Sequence, residues 1–355
     1  MNLEDVLPGG VGRAPSGSRN AITDVDGVTV GHRTLDEPAA VNTGVTVVDP
    51  TDAVAFEQPV TGNAFVLNGF GKSTGLMQVR ELGTIETPLA LTNTLDVGTA
   101  ASALVDHTLA AGPDVRSVNP LVLECNDGYL HDIRGRHVSA ADVHAALDVT
   151  GKSVPEGAVG AGRGMTAFGR KGGIGTASRR VEIADESRSV GVLVLANFGR
   201  LRDLRVGGVP VGQRLAAESS AGESTLDGEQ GEDADSAGDR NDGSIAMVVA
   251  TDVPLTARQL GRVAKRAPLG MARTGGYAHH GSGDLAVAFS NAPSGADAAA
   301  DAALDSLFEG AVDATEEAIL SALFEAERTE GRDGHVVDAL DPAAVEDALQ
   351  SDAWA

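Results

Sequence analysis

The chain has 355 residues, 42% of them hydrophobic but only 3% aromatic, which allows a large core built on Val, Leu, Ala and Ile. Its formal charge is −24, from 27 basic and 51 acidic residues. That excess speaks against nucleic-acid and anionic-membrane partners, since both recruit basic patches.

No apolar run reaches the roughly 18 residues of a membrane span. The start, MNLEDVLPGGVGRAPSG, has neither the basic nor the apolar segment of a secretory signal, so a soluble cytoplasmic protein is expected. Lys occurs only at 72, 152, 171 and 265, and the other basic residues are Arg. Acid excess with scarce Lys suits a protein kept soluble in high salt, where self-repulsion is screened, so a halophilic source is expected.

Residues 1–20 read as an irregular arm rich in Gly, Pro and Ser. A strand–turn pattern starts in AITDVDGVTVGH, with Asp26-Gly27 as a hairpin signal. GVTVVDP (44–50) and NAFVLNG (63–69) read as strands. GFGKSTG (69–75) resembles a phosphate-binding loop, but that motif needs Gly where Val66 stands, so a strand-to-helix turn fits better. Residues 96–111 have apolar positions at helical spacing, with Asp96 as the cap. PLVLECNDG (120–128) is a buried strand ending in turn residues. It holds Cys125, the lone cysteine, which excludes an internal disulfide and a Cys-cluster zinc site and reads as a small core residue.

SAADVHAALDVT (139–150) is helical, and the Gly-rich stretch 156–175 reads as loop with short strands. RSVGVLVLANFG (188–199) is a strongly apolar strand. Segment 218–240 carries eight acids, one base and Leu226 as its only large apolar residue, so it reads as a flexible acidic loop. NDGSIAMVVATDVPL then changes abruptly to a buried strand. LTARQLGRVAKRAPLGMAR (255–273) reads as one helix, DLAVAFSNA (284–292) as a strand, and 296–328 as an Ala-rich helical stretch. Residues 330–355 read as a weakly ordered acidic tail. Strands with helices grouped behind them fit a layered α+β architecture better than a doubly wound one.

The eight histidines suggest no metal site: His279 and His280 are adjacent, and His131 and His137 are six apart, which is not helical ligand spacing. The informative point is Gly243-Ser244, where the acidic segment gives way to a strand that begins with serine. Cleavage before Ser244 would leave a serine whose free α-amine, with an ordinary pKa near 7.7–8.0, can serve as its own base. Spacing alone does not separate this from a plain Gly-Ser turn.

Seven blocks carry a resemblance. They are NAITDVDGVTVGH (20–32), GVTVV (44–48), ECNDGYLHDIRG (124–135), GRKGGIGTASR (169–179), VGVLVLANFGRLRDLRVGGVPVG (190–212), NDGSIAMVVATDVPL (241–255) and ARTGGYAHHGSGDLAVAFS (272–290). In this order they resemble the DmpA/BapA family of autoprocessing serine aminopeptidases, which includes D- and L-aminopeptidases and β-peptidyl aminopeptidases. The resemblance implies a single catalytic domain over 1–355, a four-layer αββα sandwich similar to N-terminal-nucleophile hydrolases with different connectivity. It also implies self-cleavage between Gly243 and Ser244 and a homo-oligomer, a tetramer of cleaved pairs.

By matching motif, Ser244 resembles the nucleophile and Asn197 the side-chain donor of the oxyanion hole. Ser282 and Asp284 in GSGD resemble the pair that tunes the nucleophile's amine; some members carry the longer Glu at the second position. Glu124 resembles the carboxylate that binds the substrate ammonium. Asn126 stands where better-known members have Tyr helping hold the tetrahedral intermediate. The expected activity is hydrolysis of small peptides or amides with a free N-terminal amine, without metal or organic cofactor. The alternatives are acyl transfer of the ornithine-acetyltransferase kind, and a non-catalytic assembly protein that keeps the fold.

Overall fold

The computed structural model describes residues 2–37, 40–223, 243–293 and 295–351. In chain order the strands are β1 (Thr29–Glu37), β2 (Val41–Asp49), β3 (Val60–Gly69), β4 (Thr84–Ile85), β5 (Leu89–Asn93), β6 (Leu121–Cys125), β7 (Thr166–Ala167), β8 (Arg170–Lys171), β9 (Gly173–Ile183), β10 (Glu186–Asn197), β11 (Ser244–Thr251), β12 (Gly283–Ser290), β13 (Thr329–Glu330) and β14 (Val336–Val337). The helices are α1 (Leu3–Val6), α2 (Leu76–Leu82), α3 (Val97–Ala111), α4 (Ala140–Asp148), α5 (Val211–Glu223), α6 (Ala257–Ala264), α7 (Ala267–Arg273), α8 (Leu304–Phe324) and α9 (Pro342–Gln350).

Two sheets form the centre: four strands in the order β1-β2-β5-β6, and six in the order β4-β3-β12-β11-β10-β9. Pairs β5–β6 and β11–β12 are parallel, and the other pairs in these two sheets are antiparallel. Side chains alternate across each strand, so a strand buried on both faces is apolar throughout. That explains VGVLVLAN: Leu193 and Leu195 of β10 join Leu89, Leu91, Leu121 and Leu123 between the sheets. Val192, Val194 and Ala196 face the other way, onto a core shared with Leu260, Met271 and Ala318 of α6, α7 and α8. On the far side, Val45, Val47 and Val122 pack against Leu104 and Val143 of α3 and α4. The result is the expected α+β, four-layer αββα sandwich.

Several elements differ from expectation. AITDVD is a 3₁₀ turn rather than a strand, because the Asp24 carboxylate gathers Ser18, the Arg19 and Ala21 N–H groups and Ser178. The first hairpin joins β1 to β2 instead, in the register Glu37–Val41. Asp96 precedes α3, but its carboxylate makes no capping bond there; it is buried against Asn93, Arg136 and the Val138 N–H. The Asn93 side chain takes the Leu95 and Asp96 N–H groups instead.

Stretch 255–273 is two helices, with Pro268 in the first turn of the second, where its missing N–H costs nothing. Of the acidic segment 218–240, residues 218–223 close α5, and 224–240 lie outside the described residues. The expected weak order of 330–355 does not hold for 330–351. A β13–β14 hairpin and α9 occupy this stretch, and Leu340, Val345 and Ala348 are buried in the helix-side core. Residues 352–355 lie outside the described residues.

Candidate active site

One row of the six-stranded register runs along the end of the sheet: Asn197 pairs with Ser244, Ser244 with Gly283, and Gly283 with Gly69. Ser244 is the first residue of the buried central strand β11 and is 7% exposed. Its hydroxyl oxygen accepts the Gly283 N–H at 3.0 Å. A Cβ on Gly283 would lie 2.8 Å from the Gly71 Cα and 3.3 Å from Ser244 Oγ, so only glycine lets the loop after β3 cross the serine. Gly243, just before the serine, is pressed onto the Asn197–Phe198 backbone; a Cβ there would meet the Asn197 carbonyl oxygen at 2.6 Å.

Asn197 ends β10, buried. Its Oδ1 accepts the Thr166 N–H at 2.9 Å, and its Nδ2 donates to the Asn126 carbonyl at 3.0 Å. The acceptor bond fixes which end of the amide is NH2, and a second N–H remains on Nδ2. Asn126 is exposed in the turn after β6, and its Oδ1 accepts the Gly128 N–H at 2.9 Å. The Asn126 carbonyl, rather than its side chain, is what reaches Asn197.

Glu124, in β6 and 3% exposed, accepts the Lys72 N–H at 2.7 Å on Oε1 and the Thr94 hydroxyl on Oε2. Residues 70–75, the loop read from GFGKSTG as a strand-to-helix turn, connect β3 to α2. Paired bonds between Thr74 and Val122 hold the loop against β6. It therefore runs from the Glu124 carboxylate to Gly283, a position not legible in the motif.

Ser282 and Asp284 flank Gly283. The Ser282 hydroxyl contacts the His279 carbonyl at 2.7 Å and Asp284 Oδ2, and the Asn68 amide donates to Ser282 Oγ at 3.1 Å. Burial pushes the Asp284 carboxyl up to about 6, offset in part by the Ser282 bond. The hydroxyl has one proton, so it serves His279 when Asp284 is protonated and turns to Asp284 when it is ionised. A small pocket opens between Phe198, Gly243, Ala278, His279 and Asp284.

Sequence reasoning missed the groups that hold these side chains, Thr166 on Asn197, Gly283 on Ser244, Asn68 on Ser282 and Thr94 on Glu124, and with them Lys171, which bonds the Met165 carbonyl. Lys171 lay within a quoted block, but a backbone-bonding role has no signature in sequence. Asp127 is buried beside Asn126, and burial pushes its carboxyl up to about 8. Cys125 is fully buried and burial raises its thiol well above the usual range, which makes it an inert core group.

Known proteins resemble this chain in sequence and in fold. The family model described as peptidase family S58 matches residues 20–337. The β-peptidyl aminopeptidase BapA of Sphingosinicella xenopeptidilytica is 38% identical over 338 residues, covering 89% of this chain and 83% of that one. The structure of the PH0078 protein from Pyrococcus horikoshii superposes with a TM-score of 0.88 at 46% identity, covering 99% of both chains. That of the L-aminopeptidase D-Ala-esterase/amidase from Ochrobactrum anthropi gives 0.84 at 34% identity over 98% of both. The latter is described as a prototype for the serine aminopeptidases and a new variant among the Ntn hydrolase fold.

Proposed function

The chain belongs to peptidase family S58 and is a serine-type aminopeptidase, a hydrolase of peptide and amide bonds; we propose that its nucleophile is Ser244, freed as a new N-terminus by cleavage after Gly243. The observation that carries this reading is the row Asn197–Ser244–Gly283 at the end of the sheet. It sets a hydroxyl beside an amide donor, with a carboxylate one residue beyond Gly283.

In this mechanism the Ser244 α-amine takes the hydroxyl proton as Oγ attacks the substrate carbonyl. The second N–H of Asn197 Nδ2 receives the developing alkoxide. Ser282 and Asp284 orient the amine and tune its basicity. Glu124 holds the substrate ammonium, with Asn126 at the rim. The protonated α-amine returns its proton to the leaving amine, and water resolves the acyl-enzyme. Self-cleavage uses the same hydroxyl but not the same base, because the Ser244 nitrogen is still an amide: the Oγ proton passes through water to the departing Ser244 nitrogen as Oγ attacks the Gly243 carbonyl and the C–N bond breaks, and water then hydrolyses the resulting ester.

Substrates in this reading are short peptides or amides with a free N-terminal amine. Among the described residues no helix is long and apolar enough to cross a membrane. Cytoplasmic residence and assembly as a tetramer of cleaved pairs belong to the same proposal.

Denaturing intact-mass measurement tests it. Active protein should split into 1–243 and 244–355, the smaller piece having 112 of the 355 residues and roughly 11 of the 36.0 kDa. Ser244→Ala should stay whole and inactive. A single species of full mass from active protein would overturn the reading.

A further inference from the structure

Lys171 is fully buried at the end of β8. Its Nζ donates to three backbone carbonyls: Gly162 at 3.0 Å, Met165 at 2.8 Å and Gly172 at 2.8 Å. Three acceptors match the three N–H groups of an ammonium, whereas a neutral amine would turn its lone pair on a carbonyl oxygen. Burial, with Arg163 adding to it, pulls this ammonium well below the ordinary lysine range, and Asp127 opposes them. Keeping such a charge here is costly, so its position invites a reason.

The Met165 carbonyl belongs to the same peptide group as the Thr166 N–H. That N–H is the donor to Asn197 Oδ1, at 2.9 Å. One peptide plane thus has an ammonium at its oxygen end and the Asn197 amide at its hydrogen end. The same carbonyl also accepts the Gly172 N–H at 3.1 Å, and the Phe168 N–H ties the hairpin to the Phe198 carbonyl at 2.7 Å. We infer that Lys171 is a positioning residue, heading a hydrogen-bond chain through the 165–166 peptide that aims and polarises the Asn197 amide toward the oxyanion.

The physics follows from charge-assisted bonding. A cation on the carbonyl draws electron density from the peptide and strengthens its N–H as a donor. That N–H, bonded to Oδ1, in turn makes the Nδ2 hydrogens more positive. The effect adds to rotational locking: with Oδ1 held, the Asn197 amide cannot flip its oxygen toward the substrate, where it would repel the alkoxide. The inference rests on the reading of Asn197 as the oxyanion donor.

A double-mutant cycle tests it, read on kcat per cleaved subunit and on the self-cleavage rate of purified precursor. Lys171→Met keeps the length and loses every donor; Lys171→Gln keeps two donors without charge and carries the cycle if the first variant does not fold. Either should lower kcat by about 10–100-fold with KM within about twofold, less than the 10²–10³ typical of losing the donor outright. In an Asn197→Ala background the same change should cost less than about twofold, because the chain then ends on nothing. If Asn197→Ala alone costs under about threefold, the oxyanion reading falls, and this inference with it. If Asn197→Ala is severe but a folded Lys171 variant keeps kcat within about twofold, or the double variant loses the full product of both effects, the Lys171 inference falls alone.

Discussion

Glu124 is a buried carboxylate held by two donors, the Lys72 N–H and the Thr94 hydroxyl, with no ion pair among the described residues. Two ionised oxygens can accept about four hydrogen bonds, so capacity remains for an ammonium. Burial makes the unpaired charge costly, and an incoming cation relieves that cost. Glu124→Gln keeps the shape and loses the charge. It should lower kcat/KM for free-amine substrates by about 1.5–3 kcal/mol, roughly 10–150-fold. N-acetylated substrates should be poor with the parent enzyme. Equal cleavage of acetylated and free amides would remove Glu124 as the amine anchor. Residues of this kind were legible because each carries its own chemistry and sits in a matching block. Thr166 and Lys171 were not, since both act through backbone groups. Asn126 was read for its side chain, yet its carbonyl makes the contact with Asn197.

At the scale of elements, the site is a product of register. β11 and β12 run parallel with Ser244 opposite Gly283, and β10 brings Asn197 to the other side. Periodicity located all three strands, because runs buried on both faces are apolar from end to end. It could not give their order in the sheet, and therefore could not place Asn197 beside Ser244; the resemblance supplied that grouping. Local rules failed where tertiary contacts won. Asp96 looked like a cap, but it is drawn into a buried cluster with Arg136. The tail looked too acidic to order, yet α9 needs only Val345 and Ala348 facing inward. Gly283 gives the test at this scale. A methyl there would push on the Gly71 backbone, which has no side chain to rotate away. Gly283→Ala should slow self-cleavage at least about tenfold, by moving either β12 or the 70–72 loop off Ser244. Cleavage at the parent rate would show that the close approach does not govern the serine.

For the whole molecule the deciding quantity is charge. With 51 acids against 27 bases, one-to-one pairing leaves at least 24 acidic groups without a cationic partner. Surface pairs do form, such as Arg13–Glu309 and Arg258–Asp301, but each is worth only about 0–1 kcal/mol and weakens in salt. Self-repulsion acts over longer distances and is screened by the same ions. The Debye length shrinks from about 10 Å at 0.1 M salt to about 3 Å at 1 M, so repulsion between groups beyond contact is lost first. The net effect of salt should therefore be stabilising, opposite to the expectation for a protein held by surface ion pairs. Ser244→Ala precursor, a single uncleaved chain, is the material in which to measure it. Raising KCl from 0.1 M to 2 M should raise its Tm by at least about 3 °C. Most of the gain should come below about 1 M, where screening changes fastest; a gain that only accumulates at multimolar salt would point to general exclusion of solute from the surface. A Tm that is flat or falls across this range would show that repulsion among the acids is not what limits stability, and would remove the physical basis for reading the composition as an adaptation to salt.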